Sequence, residues 1–248
     1  MDSPDISYAQ RVKCLVDSVL TRIRKAALNA KKSPDEIKLV AVTKYATCDD
    51  GFVESLIKAG CFDFGENRLK LLLEKQERFG CEFHSFPEQC NLPRWHFIGS
   101  LQENKIRKMI RFISLIHSID SVKLLDAVNR IAGEEKLDHQ VDVLLEAKIS
   151  SDATKHGFVP ETLPILLPEL QERSYIRIRG LMGMGGLGLT PAETRQEFAS
   201  LRALFDQCKS QLPSNTDFTE LSMGMSDDFE IAIEEGATIV RVGSLLYP

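Results

Sequence analysis

Short apolar runs, rich in β-branched residues, alternate with helix-like stretches along almost the whole 248-residue chain. The runs fall at 37–43, 62–65, 95–98, 114–118, 141–148, 176–182, 218–222 and 238–242. Between them, helical stretches lie near 49–60, 66–79, 102–111, 121–136, 160–172, 191–211 and 226–235. Runs so short and so apolar read as strands buried on both faces, the mark of a parallel sheet covered by helices. Within residues 1–32, Val12, Leu15, Val16, Val19, Leu20 and Ile23 recur at helical spacing and predict a leading helix, joined to the first run by Ser33-Pro34-Asp35-Glu36. Eight strands, seven intervening helices and one helix in front predict a single (β/α)8 TIM barrel, at the size usual for that fold. The chain ends soon after the eighth run, so the amino-terminal helix is expected to fill the last helix position, between strands 8 and 1. An open doubly wound sheet is the alternative. With no linker, low-complexity run or second domain in view, one domain is expected over 1–248, its barrel at 37–248.

The formal charge of −5 is mild and dispersed, without the basic block that nucleic acid would require. No apolar stretch is long enough to span a bilayer. The start, Met1-Asp2-Ser3-Pro4-Asp5, lacks both a secretory apolar core and an Arg/Ser-rich transit pattern. Cysteines 14, 48, 61, 81, 90 and 208 form no C-x-x-C pair, which argues against a zinc site or a disulfide framework and fits a reducing compartment. The five histidines also lack ligand spacing. A cytoplasmic protein is expected.

Lys44 closes the run Ile37-Lys38-Leu39-Val40-Ala41-Val42-Thr43-Lys44. Strand alternation places Val40, Val42 and Lys44 on one face and Leu39, Ala41 and Thr43 on the other, with Tyr45 joining the second face if the strand continues. The carboxyl end of such a strand is where α/β folds bind ligands. A lysine partly withdrawn from water there can act as a neutral amine and form Schiff bases with carbonyls; the plainer reading is a solvated strand end. Lys148, ending Val141-Asp142-Val143-Leu144-Leu145-Glu146-Ala147, is the rival imine lysine.

Gly183-Met184-Gly185-Gly186-Leu187-Gly188 has the G-x-G-x-x-G form of a dinucleotide site. Such a site needs its helix to begin among the glycines, whereas the capping box Thr190-Pro191-Ala192-Glu193 starts the helix later, so a loop is expected. In barrels the loops after strands 7 and 8 are the habitual phosphate site. Here those loops carry Leu221-Ser222-Met223-Gly224-Met225-Ser226 and Val240-Arg241-Val242-Gly243-Ser244. Gly243 permits close backbone approach, and Ser222 and Ser244 can donate hydrogen bonds; the alternative is ordinary helix capping by Ser226, supported by Asp227 and Asp228. Asn67 in Phe64-Gly65-Glu66-Asn67-Arg68 is either a ligand-orienting residue or a cap, and His96 reads as a packed core histidine.

Taken together, these segments resemble the pyridoxal phosphate homeostasis protein family. The resemblance rests on Leu39-Val40-Ala41-Val42-Thr43-Lys44, Phe64-Gly65-Glu66-Asn67-Arg68 and Trp95-His96-Phe97-Ile98-Gly99-Ser100-Leu101-Gln102-Glu103-Asn104-Lys105. It continues through Ile116-His117-Ser118-Ile119-Asp120, Lys155-His156-Gly157-Phe158, Gly180-Leu181-Met182, Leu221–Ser226 and Val240–Ser244, in order and over nearly the whole chain. It implies a barrel of the alanine-racemase type holding pyridoxal 5′-phosphate (PLP) as an aldimine of Lys44. It further implies that Ser222, Gly243 and Ser244 grip the phosphate, that Arg241 faces the pyridine nitrogen, and that Asn67 belongs to the pocket. PLP is the expected ligand and PLP-dependent apoenzymes the expected partners. Glu146-Ala147-Lys148 departs from the family pattern and brings a lysine near the pocket; the end at Leu245-Leu246-Tyr247-Pro248 falls short of the usual family tail.

Arginine does not usefully surrender its proton, so Arg241 would leave the PLP ring a weak electron sink. That disfavours transamination and decarboxylation but not racemisation, since alanine racemases have an arginine at the matching place. Racemisation also needs a second acid or base across the cofactor, and Tyr8, Tyr45, Tyr175 and Tyr247 lie in no recognisable active-site motif. A PLP carrier acting in PLP homeostasis is therefore expected over a PLP-dependent racemase, and an aldolase-type barrel using Lys148 on a phosphosugar is the third reading. With no interface domain in evidence, a monomer is expected.

Overall fold

The computed structural model describes residues 7–80, 92–149, 156–186 and 188–248. Met1–Asp5, Cys81, His84, Cys90, Lys155 and Leu187, all used in the sequence readings, lie outside the described residues.

Eight parallel strands close into a barrel in chain order. They are β1 (Lys38–Val42), β2 (Asp63–Glu66), β3 (Arg94–Phe97), β4 (Ile113–Ile119), β5 (Val141–Glu146), β6 (Ile176–Met182), β7 (Glu220–Ser222) and β8 (Ile239–Val242). The pairing of Val40 with Arg241 and Ala41 with Val242 joins β1 to β8 and rules out the open sheet. Around the barrel run α1 (Tyr8–Asn29), α2 (Phe52–Lys58), α3 (Leu69–Phe79), α4 (Glu103–Ile106), α5 (Val122–Glu134), α6 (Leu163–Leu170), α7 (Pro191–Ser210) and α8 (Phe229–Glu234).

The leading helix fills the gap as expected. Helix α1 packs against both α2 and α8, burying Val12, Val16, Val19, Ile23, Ala26 and Ala27. Arg22 grips Glu230 of α8 through Nε and Nη2, at 2.7 and 2.8 Å. Leu20 is not part of that stripe and stands exposed.

Period-2 alternation sorts the strand residues into two layers. Val40, Leu115, Leu144, Met182 and Ile239 pack together inside the barrel. Ala41, Phe64, Trp95, Val143, Leu145 and Val240 belong to the larger cluster shared with the helices. At the amino-terminal mouth the interior becomes charged: Arg94 pairs with Asp63 at 2.5 Å, Arg179 with Asp142 at 3.2 Å, and Lys38 with Glu220 at 3.6 Å.

Several expected elements are shorter than their patterns suggested. Only Glu103–Ile106 of 102–111 is helical; beyond it, turn bonds such as Met109 N–H to Ile106 O (3.0 Å) and Phe112 N–H to Met109 O (3.1 Å) carry the chain into β4. Strand β5 stops at Glu146, because Ala147 and Lys148 turn to pair with Phe158. Helix α8 begins at Phe229 rather than at 226, since Asp228 is its N-cap and Gly224 turns the chain at φ +89°.

Candidate functional site

β1 ends at Val42, and the chain then turns: Ala46 N–H bonds to Thr43 O at 2.9 Å. Lys44 stands half-buried in that turn, at the carboxyl-terminal mouth of the barrel. The turn is held from behind by Lys75 of α3, a wholly buried ammonium that donates to Thr43 O at 2.7 Å and pairs with the equally buried Glu66. Thr43 Oγ1 donates to the same Glu66 carboxylate at 2.7 Å. Tyr45 does not take the face opposite Lys44. Alternation ends with the strand, and the Tyr45 ring lies 5.0 Å from Lys44 Nζ, 70 % exposed.

Lys44, Asn67, Arg241, Gly243 and Ser244 line one pocket of about 460 Å³, a volume suited to a small-molecule ligand. Tyr45, Met184, Met225, Ser226 and Asp227 line it with them. Asn67 follows β2, and the bare backbone of Gly99 packs against it: a Cβ at Gly99 would lie 2.4 Å from Asn67 O. Asn67 Oδ1 is buried without a hydrogen-bond partner, an acceptor left open within the pocket wall.

The loop after β7 folds tightly over α8. At Gly224, with φ +89°, a Cβ would come within 2.5 Å of Ala232 Cβ, so only glycine fits. Its carbonyl accepts from Arg241 N–H at 3.0 Å, locking this loop to β8. Ser226 is thereby brought beside Gly243, whose N–H donates to Ser226 Oγ at 3.1 Å. The Ser226 hydroxyl proton and Ser244 are left at the wall. Helix capping, the alternative for Ser226, falls to Asp228, and Ser226 takes the wall position expected for Ser222. Burial raises the Asp228 carboxyl above its usual range, opposed by the hydrogen bond from Met225 N–H.

Ser222 lies deeper, wholly buried and absent from the pocket wall. Arg241 Nη1 donates to Ser222 Oγ at 2.5 Å, and Nη2 donates to Gly183 O at 3.2 Å. Ser222 is in turn bonded to His117 Nδ1 at 2.9 Å. The guanidinium is thus fixed at two points. Burial pulls its pKa down to about 10, against the nearby Asp228 and Glu146 carboxylates, and leaves it charged at neutral pH.

Lys148 is not on this pocket wall. The glycine-rich stretch after β6 has its helix start at Pro191, where Thr190 Oγ1 accepts from Glu193 N–H and the Glu193 carboxylate accepts from Thr190 N–H. The glycines therefore form a loop, as expected, and present no helix start to a pyrophosphate.

One mouth thus offers an amine, a fixed cation, hydroxyls beside a close backbone, and an open acceptor. The model of the alanine racemase N-terminal domain matches residues 19–248. The pyridoxal phosphate homeostasis protein of Aquifex aeolicus is 36 % identical over 229 residues, covering 92 % of this chain and 94 % of that protein. The chain belongs to the pyridoxal phosphate homeostasis protein family. The structure of PipY from Synechococcus elongatus with PLP bound is 36 % identical, covers 92 % of this chain and 99 % of that one, and superposes with a TM-score of 0.74. An alanine racemase of Clostridium difficile, 16 % identical with a TM-score of 0.67, shares the fold. The shared fold spans 92 % of this chain and 55 % of that one.

Proposed function

We propose that this chain binds PLP at the carboxyl-terminal mouth of the barrel and serves intracellular PLP homeostasis as a carrier. The observation that carries the reading is the convergence of Lys44, Asn67, Arg241, Gly243 and Ser244 on one pocket. The residues fit the group. Lys44 supplies the amine that joins its aldehyde, and the orphan Asn67 Oδ1 supplies an acceptor beside the ring. The Ser226 and Ser244 hydroxyls, beside Gly243 with no side chain in the way, suit the phosphate. Arg241 presents a cation to the pyridine nitrogen, and Ser222 acts behind it.

PLP, when bound, supplies an electron-drawing ring to amines attached at its aldehyde carbon. An arginine facing the nitrogen donates a hydrogen bond but no proton, so the ring stays a weak sink. Racemisation would further need a dry acid or base across the ring from Lys44. Tyr45, the tyrosine on the pocket wall, lies beside Lys44 and in solvent. The residues present favour holding the cofactor over processing amino acids. Lys148, whose backbone N–H bonds to Phe158 O and which is absent from the pocket wall, gives the aldolase reading no support.

No helix of the described residues is long and apolar enough to cross a membrane. We place the protein in the cytoplasm as a monomeric single-domain barrel, with PLP-dependent apoenzymes as the recipients of its cofactor. The test is optical: purified with PLP, the protein should be yellow and lose its visible band on borohydride reduction. A protein that stays colourless with excess PLP contradicts the reading.

A further inference from the structure

Two buried histidines, His96 and His117, lie on a line of hydrogen bonds that runs the length of the barrel interior. At the amino-terminal mouth Arg94 Nε donates to Asp63 Oδ1 at 2.8 Å, and Asp63 Oδ1 lies 3.0 Å from His96 Nε2. His96 Nδ1 lies 2.9 Å from His117 Nε2, and His117 Nδ1 lies 2.9 Å from Ser222 Oγ. Ser222 Oγ then meets Arg241 Nη1 at 2.5 Å, in the wall of the cofactor pocket.

The chemistry of the links gives this line a single direction. Burial works to raise the Asp63 carboxyl, but hydrogen bonds from Arg94 and His96 outweigh it and hold the carboxyl well below the usual range. An ionised carboxylate only accepts, so His96 donates its Nε2–H. Burial lowers the pKa of both imidazoles, that of His117 far below its ordinary value, so both are neutral at pH 7. Neutral His96 then accepts at Nδ1 from His117 Nε2–H, and neutral His117 accepts at Nδ1 from the Ser222 hydroxyl. Ser222, its one proton spent, has only lone pairs to offer Arg241. Each proton is used once, from the Arg241 cation to the Asp63 anion.

We propose that His117, His96 and Asp63 are positioning residues for Arg241: they draw the Ser222 proton toward His117, leave its oxygen only to accept from Arg241, and so couple the guanidinium in the cofactor pocket to the Asp63–Arg94 pair at the opposite mouth. The inference rests on the PLP reading for the group that Arg241 faces. An apolar barrel core of Leu and Val would hold the fold without such a line. A line satisfied at every link rigidifies one geometry and transmits a change at either end. Replacing Asp63 with Asn removes the anion and turns an amide donor toward either Arg94 or His96, where each needs an acceptor, which weakens the line at its source.

Two measurements test it. In the full-length protein without added PLP, nitrogen-15 NMR of the histidine rings should show His96 and His117 neutral and protonated at Nε2. An Nδ1–H tautomer or an imidazolium at either would overturn the proposal. In the PLP-loaded protein, Asp63→Asn and Ser222→Ala should each shift the visible band and weaken PLP binding about tenfold, the loss expected for one hydrogen bond to a charged group. Ser222→Thr, which keeps the hydroxyl, should restore both. Wild-type band and affinity in Ser222→Ala overturn the proposal even if Asp63→Asn fails to fold. If the wild type binds no PLP, the functional reading fails, while the NMR result still decides the direction of the line.

Discussion

The buried ammonium of Lys75 donates to the carbonyl oxygen of Thr43 at 2.7 Å, one residue ahead of Lys44. A helix on the outside of the barrel therefore holds the turn that carries the amine on the inside. Glu66 completes the arrangement, accepting from both Lys75 and Thr43. Two charges removed from water are costly unless they meet, so this pair is a demanding way to fix one turn, and it sits under the residue that must be placed best.

Breaking the pair should be expensive. Lys75→Met leaves Glu66 buried without its cation and should cost about 3–5 kcal/mol in urea unfolding. Adding Glu66→Gln, which removes the stranded charge but keeps an acceptor for Thr43, should recover much of that loss. A loss below about 1 kcal/mol for Lys75→Met, within the range of ordinary surface substitutions, would mean that the pair does not stabilise the fold.

Acid should destabilise the protein in two stages. His117 and His96 have folded-state pKa values below their ordinary one, mainly through burial. The unfolded chain therefore binds more protons than the folded one below about pH 6.5, and stability falls as pH falls through that window. Asp63, with its folded pKa also depressed, adds a second loss only below about pH 4. Urea unfolding at pH 7.5 and 5.5 should differ by at least about 1 kcal/mol, given up to about 1.4 kcal/mol per pH unit for each histidine. Equal stabilities at the two pH values would contradict neutral buried imidazoles.

Arg241→Ala should leave the protein folded but weaken PLP retention and alter its visible spectrum, because Ser222 and Gly183 O would lose their shared donor. Dialysis followed by absorbance reads both effects. An unchanged spectrum would move Arg241 away from the pyridine ring.

Incubation of the PLP-loaded protein with L-alanine, followed by chiral chromatography, should yield little D-alanine. Tyr45 lies beside Lys44 rather than across from it, and it is open to water. Robust turnover would overturn the carrier reading in favour of a racemase.

The barrel was legible because strand runs such as 176–182 coincide with β6 to the residue, and because the capping box at Thr190 marks the start of α7 in local chemistry alone. The site was legible where a residue's place follows from its strand end: Lys44 after β1, Asn67 after β2, and Gly243 and Ser244 after β8. Period-2 reasoning does not reach Tyr45, because the strand ends at Val42 and the turn at Thr43–Ala46 lies beyond the last paired residue. It also could not separate Ser222 from Ser226. The positive φ at Gly224 reverses the chain between them, burying one serine behind Arg241 and lifting the other to the wall. His96 was read correctly as a core residue, but its hydrogen bond to His117 joins neighbouring strands through the barrel interior. No spacing along the chain encodes that partnership.

The central claim is that Lys44 holds PLP. The most direct measurement is mass spectrometry of the PLP-loaded, borohydride-reduced and proteolysed protein, with Lys44→Ala alongside it. A single pyridoxyl adduct on the peptide carrying Lys44, absent together with the visible band in Lys44→Ala, is the predicted result. An adduct on Lys148, or a reducible band that survives Lys44→Ala, would contradict it.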